Sequence, residues 1–206
     1  MEKSMCITYE VESALYVNIT NKCSNRCVFC IRNNGDTAYG SDPLWLEREP
    51  SVQEIVDDIF LKNPEKYSEI VFCGYGEPTF RLKEARAVAL AVKEKYPNVK
   101  IRVNTNGQSD LIHRLDTAPF YKDAFDAVSI SLNAPNAEKY ARVCLPAFGI
   151  PTFDAILNFA RRVKDYVPSV AFSVVDEALS DEEIAECQKI ADSCGVKLRV
   201  RKYIGK

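Results

Sequence analysis

The chain has 206 residues, 47% apolar and 27% charged, a composition that suits one globular unit and excludes a disordered or low-complexity polymer. A formal net charge of -2 gives no bulk pull toward nucleic acid or an anionic membrane. No run of eighteen apolar residues occurs, and the opening "MEKSMCITYEVES" is too polar and acidic for a signal peptide, so a cytoplasmic protein is expected.

The elements alternate strand and helix. A short N-terminal strand is expected over 5–12, turning at Glu12–Ser13, and "ALYVNIT" (14–20) is β-branched and alternating, the first strand of a series. A long polar loop over 21–50 follows. Ser51 and Glu54 form a capping box that opens a helix over 51–61. "EIVFCGYG" (69–76) is a strand, 81–96 a helix ended by Pro97, and "VKIRVNTNG" (99–107) the next strand, with a short helix near Asp110–Leu115. "AVSISLNA" (127–134) is a strand. Helical patterns run over 136–144 and 152–167, "SVAFSVVD" (169–176) is a strand, and Ser180 and Glu183 cap a helix ending near Gly195. "KLRVRKYI" (197–204) is the last strand, in a stretch with five basic groups and no acid. Six strands separated by helices imply parallel βαβ units.

Strand faces narrow the architecture. Tyr16, Asn18 and Thr20 share one side; so do Arg102, Asn104 and Asn106, then Ser129, Ser131 and Asn133, then Arg199, Arg201 and Tyr203. A flat parallel sheet covered on both faces should be apolar on both. One polar side per strand instead predicts an open, partial (β/α)6 barrel, an α/β fold with its site at the carboxyl ends of the strands.

The long loop begins there with "CSNRCVFC", three cysteines within eight residues: Cys23, Cys27 and Cys30. Thiolates hold zinc or iron–sulfur clusters. Structural zinc needs four ligands, and the one histidine, His113, lies far along the chain and reads as a surface residue. Three thiols on a 4Fe-4S cluster leave one iron open, a mark of chemistry rather than scaffolding. A zinc site and plain structural thiols are the rival explanations. Of the other cysteines, Cys187 and Cys194 fit a helix core stripe, Cys6 and Cys73 lie in strands, and Cys144, before Leu145–Pro146, is read as a loop thiol of interest. One cluster is expected, and the whole of 1–206 is read as one domain.

"CSNRCVFC" resembles the CxxxCxΦC motif of the radical S-adenosylmethionine (SAM) superfamily, with Phe29 as Φ. "GYGEP" (74–78) is similar to that family's glycine-rich GGEP turn, with Tyr75 at a glycine position, and "SLNA" (131–134) resembles the segment that meets the SAM ribose. The resemblance implies a 4Fe-4S cluster on Cys23, Cys27 and Cys30 that chelates SAM through its amino and carboxylate groups. Reductive cleavage would then give a 5′-deoxyadenosyl radical that takes hydrogen from a substrate. It further implies close backbone approach at Gly74 and Gly76, an ammonium acceptor in Glu77, and a turn fixed by Pro78. Ribose contacts would come from Ser131 and Asn133. Asn104 and Asn106 would face the same interior, and Phe29, Val174, Val175, Tyr203 and Ile204 would lie near adenine. For the last group core packing is the competing role. Arg32, Arg102, Arg199 and Arg201 are candidates for an anionic group.

"VNTNG", "SISLNAPNAEKY" and "CLPAFG" look most like the small radical SAM proteins associated with TatD-family nucleases, which implies such a nuclease as partner. A one-electron donor such as flavodoxin or ferredoxin is also implied. A 7-carboxy-7-deazaguanine synthase, a glycyl-radical activase acting on a partner protein, and a non-catalytic iron–sulfur or zinc protein are the alternatives.

Overall fold

A computed structural model describes residues 1–202, with only the backbone of Ala178; the expectations at Tyr203 and Ile204 lie outside the described residues. Seven strands form one sheet in the order β1-β2-β3-β4-β5-β6-β7. β1 (Thr8–Val11) pairs antiparallel with β2 (Ala14–Val17) through a tight turn in which Glu12 takes φ 53°. β3 (Ile70–Phe72), β4 (Ile101–Thr105), β5 (Ala127–Ser131), β6 (Ser169–Val175) and β7 (Lys197–Arg201) add in sequence, each parallel to the last. The sheet does not close, because β1 and β7 stay its two edges. This is the open partial barrel that the strand faces predict.

The crossovers are α1 (Val52–Leu61), α2 (Leu82–Lys95), the short α3 (Ser109–His113), α4 (Ala137–Cys144), α5 (Thr152–Val163) and α6 (Asp181–Cys194). α1 and α6 begin with complete capping boxes, Ser51/Glu54 and Ser180/Glu183. Each pairs a serine oxygen with an orphan amide of the first turn and returns the glutamate to the cap amide. No helix among the described residues is long and apolar enough to cross a membrane.

Strand periodicity sorts the side chains as expected. Leu15, Val17, Ile70, Phe72, Ile101, Val103, Val128, Ile130, Phe172 and Val174 are buried in one core with the apolar stripes of the helices. The register aligns the other side: Ser131 faces Ser173, which faces Arg199, and Asn104 faces Ser129. Four residues that the sequence reading puts on strand faces lie past their strands: Asn18 and Thr20 beyond β2, Asn106 beyond β4, and Asn133 beyond β5 with a left-handed φ of 59°. His113 is half-buried, with Nε2 2.7 Å from the Thr79 carbonyl, rather than a free surface histidine.

Candidate functional site

Cys23, Cys27 and Cys30 sit on irregular backbone just beyond β2, at the carboxyl end of the sheet, each half-buried and none in a disulfide. Short polar side chains and Gly35 keep this stretch out of regular structure, apart from one 3-10 turn at Ile31–Asn33. Its hydrogen bonds therefore go outward. On one side they reach α4: Arg26 N donates to the Cys144 carbonyl at 3.0 Å and Val28 N to the Val143 carbonyl at 2.9 Å. These two loop amides satisfy carbonyls that the end of a helix leaves unpaired. Ala147 N donates to the Ser24 carbonyl at 2.8 Å, so the segment after α4 grips the loop again.

Beneath the loop lies a buried polar network. Asn106 Nδ2 donates to Ser24 Oγ at 2.8 Å; Gln108 Nε2 donates to Asn25 Oδ1 at 2.6 Å and to Tyr140 Oη at 3.0 Å. Asn25 Nδ2 donates to the same Tyr140 oxygen at 3.0 Å. Such a network is costly if broken and rigid if complete.

The Gly74–Pro78 turn closes the other side. A Cβ at Gly76 would stand 2.2 Å from the Thr20 carbonyl oxygen, and one at Gly74 2.1 Å from Asn18 Oδ1. Both positions require glycine for close approach. Glu77 is 4% exposed and accepts four bonds: Thr79 N (3.1 Å), Thr79 Oγ1 (2.7 Å) and Thr105 Oγ1 (2.7 Å) on Oε1, and Asn106 N (2.6 Å) on Oε2. Three donors meet Oε1 and one meets Oε2. The structure thus gives Glu77 a bracing task, tying the turn to β4, beside the ammonium contact that the resemblance implies. Tyr75 reaches past the turn: its hydroxyl donates toward the Gly35 and Thr37 carbonyls at 2.8 and 3.1 Å, and its ring packs edge-on against Trp45.

The arginines divide. Arg32 donates to the Asn25 carbonyl at 3.0 Å and to the Tyr75 carbonyl at 3.4 Å, with its guanidinium 5.9 Å from the Trp45 ring centroid. It links the loop to the turn. Arg102 makes a two-pronged pair with Glu69 and donates to Asn104 Oδ1 at 2.5 Å. Arg199 and Arg201 are exposed on the edge strand β7.

Three buried acceptors lack a protein partner at this end of the sheet, Asn18 Oδ1, Gln108 Oε1 and Asn133 Oδ1. Ser131 is half-buried beside Asn133. Phe29 is half-buried and packs in part against the main core, and Val174 is fully buried.

Burial pushes the Cys23 thiol up to about 12 and raises that of Cys30. Cys27 is raised too, chiefly by its hydrogen bond to the Cys144 thiol, which is held below its ordinary value by accepting that bond. Cys144 is the last residue of α4 and wholly buried, not a loop thiol. No three Cys, His, Asp or Glu side chains among the described residues are gathered to hold a metal ion.

Ser24, Asn25, Gln108 and Tyr140 are absent from the sequence-derived candidates. They come together across more than eighty residues of chain, and no local pattern marks them.

The family described as "Radical SAM superfamily" matches residues 17–190. A GTP 3′,8-cyclase of Rhodococcus opacus (strain B4) is 30% identical over 129 residues, 63% of this chain and 34% of that protein. A protein of Sorangium cellulosum (strain So ce56) named as a probable RNA methyltransferase is 28% identical over 145 residues, 65% of this chain and 33% of its own. The chain thus spans about a third of these two relatives. Among solved structures, a radical SAM methyltransferase from Sphaerobacter thermophilus superposes with TM-score 0.64 at 17% identity, covering 96% of this chain and 69% of that one. HydG, a maturase of the FeFe-hydrogenase, gives 0.65 at 12% identity, covering 93% and 43%. These structures share the fold, and the family match runs from the second strand into α6: the chain belongs to the radical SAM superfamily.

Proposed function

We propose that the chain is a radical SAM enzyme that holds a 4Fe-4S cluster on Cys23, Cys27 and Cys30 and reductively cleaves SAM. The observation that carries the reading is the three-thiol loop at the carboxyl end of the first parallel strand, clamped between α4 and the Gly74–Pro78 turn in a chain of this family. The residues suit the cofactors on three grounds. Three free thiols are soft donors in the right number to leave one iron open. Gly74 and Gly76 bring backbone close to the loop without side chains of their own. Asn133 Oδ1 and Asn18 Oδ1 are buried acceptors that await a donor, such as a ribose hydroxyl or an ammonium.

A cluster held by Cys23, Cys27 and Cys30 would supply one-electron reducing chemistry to a SAM bound beside it. The chain's own residues bind, orient and exclude water. Asn106, Gln108 and Tyr140 hold the loop from beneath, Arg32 and Tyr75 hold its far half, and Ser131, Asn133 and Asn104 offer polar contacts to the nucleoside. Arg199 and Arg201 are assigned to an anionic group of the substrate.

The finer reading places the chain with the small TatD-associated radical SAM proteins, as one domain over 1–206 in the cytoplasm, served by a flavodoxin- or ferredoxin-type donor, with a TatD-family nuclease as partner. Its support is that "VNTNG", "SISLNAPNAEKY" and "CLPAFG" supply Asn106, Tyr140 and Cys144, which meet under the cysteine loop.

The test is anaerobic reconstitution with iron and sulfide, followed by SAM and a strong reductant. Brown protein that forms 5′-deoxyadenosine, and a Cys30→Ala variant that does not, are expected. Colourless protein that carries stoichiometric zinc and leaves SAM intact would overturn the reading.

A further inference from the structure

Cys144 lies against the cysteine loop, and nothing above gives it a task. It is wholly buried at the end of α4, where the backbone on either side of Cys27 is bonded to it and to Val143. The contact is fixed from both sides. The amides flanking Cys27, those of Arg26 and Val28, are bonded to the carbonyls of Cys144 and Val143. Asn133 Nδ2 also donates to Cys144 Sγ at 3.6 Å. The main chain of Cys27 is therefore held beside Cys144, and rotation about its χ1 bond alone decides whether its sulfur meets that thiol or turns to the loop. By contrast, Cys23 receives only the Asn25 amide on its sulfur, at 3.4 Å. A thiol pair held in contact by backbone on both sides loses little freedom on being joined.

We propose that Cys27 and Cys144 form a reversible disulfide in the cluster-free protein, withholding Cys27 from iron until it is reduced. The withholding rests on Cys27 being a cluster ligand. The two thiols differ in access: Cys27 is half-buried and Cys144 wholly so. A small-molecule disulfide such as glutathione disulfide therefore meets Cys27 first. The Cys27 thiolate attacks one of its sulfurs, forms a mixed disulfide and expels one thiolate. The Cys144 thiolate then attacks the Cys27 sulfur and expels the second. Two protein thiols give up two electrons and two protons; the reagent takes both and becomes two thiols. Excess thiol reverses the sequence. Cys27 has two exclusive destinations, iron or Cys144, and the redox state of the surroundings selects between them. The joined form also shields both sulfurs from over-oxidation.

Cluster-free, full-length protein is equilibrated with glutathione mixtures of rising disulfide content, alkylated, digested and mapped by mass spectrometry. The expected result is the joint loss of two of the eight thiols, a linked peptide pair containing Cys27 and Cys144, and no iron uptake until thiol is added. Cys144→Ser should give no linked peptide pair and lose no second thiol, stopping at a mixed disulfide on Cys27. If that variant fails to fold, Cys27→Ser must abolish the same thiol loss. A bridge from Cys27 to Cys30 or Cys23, or oxidised wild type that loads iron as fast as the reduced form, overturns the proposal. Reduced wild type that takes up no cluster overturns the cluster reading and the withholding, whereas the linkage is judged independently on cluster-free protein.

Discussion

Gly76→Ala is the sharpest test of how the Gly74–Pro78 turn supports the cysteine loop. The new Cβ would stand 2.2 Å from the Thr20 carbonyl oxygen and 2.7 Å from that of Lys22, inside the 3.0 Å that real Cβ atoms keep. Both obstacles are backbone, so no rotamer change relieves them. Either the turn or residues 20–22 must shift, and Glu77 N then comes off the Lys22 carbonyl, a bond now 2.8 Å long. Overpacking costs about 1–3 kcal/mol, and a buried amide left unpaired costs about 1–3 kcal/mol more. At about 2–4 °C per kcal/mol for a chain of this size, the melting temperature of the cluster-free protein should fall by about 5–20 °C. Circular dichroism measures the melt, and iron content after reconstitution measures the loop, which should load poorly because its first cysteine directly follows the displaced backbone. A variant that melts with wild type and loads a full complement of iron would show that turn and loop are not pressed together.

Tyr75→Phe removes the hydroxyl that bonds the Gly35 and Thr37 carbonyls; a loss of about 1–2 kcal/mol and faster amide exchange around residues 35–37 are expected, and unchanged exchange would refute the anchoring role. Glu77→Gln keeps its amide oxygen against the Thr79 and Thr105 donors and sets its NH2 against the Asn106 amide, so a loss of about 1–3 kcal/mol in urea unfolding is expected; a neutral result would mean that the carboxylate is not the brace. Burial keeps the Cys23 thiol protonated until about pH 12 and raises Cys30 as well, so metal must displace their protons. Affinity for cobalt(II), read from its thiolate absorption, should rise with pH by about tenfold per unit for each proton released, and a flat profile would refute thiolate ligation.

The strands and helices were legible because their signals are local. Ser51 and Glu54 announced α1, and Ser180 and Glu183 announced α6, through spacing alone. The polar strand side was legible for Arg102–Asn104 and Ser129–Ser131, where the period of two holds. It failed at Asn106 and Asn133, which lie past their strands, one bonded down to Ser24 and the other left-handed. The three cysteines stood out by their spacing. Their support did not, because Ser24, Asn25, Gln108 and Tyr140 meet only once the sheet has formed. Glu77 shows the limit of a motif: its place in "GYGEP" says that a carboxylate is wanted, and only the fold reveals that four protein donors bond it.

The cysteine loop has almost no regular structure of its own, so its shape must be imposed by what it touches. A loop held by one neighbour could follow that neighbour and drift; this one is held by three that belong to different crossovers. α4 takes the amides around Cys27 and, through Tyr140, the Asn25 side chain; Gln108, past β4, takes Asn25 as well; and the Gly74–Pro78 turn takes Lys22 and, through Arg32 and Tyr75, the far half. The Asn25–Gln108–Tyr140 bonds are buried, so each is worth more than its equivalent in water and costs more to lose. That arrangement explains why the departure from glycine at Tyr75 is tolerated. The residue adds a third tether to a loop whose position decides where three thiols can meet.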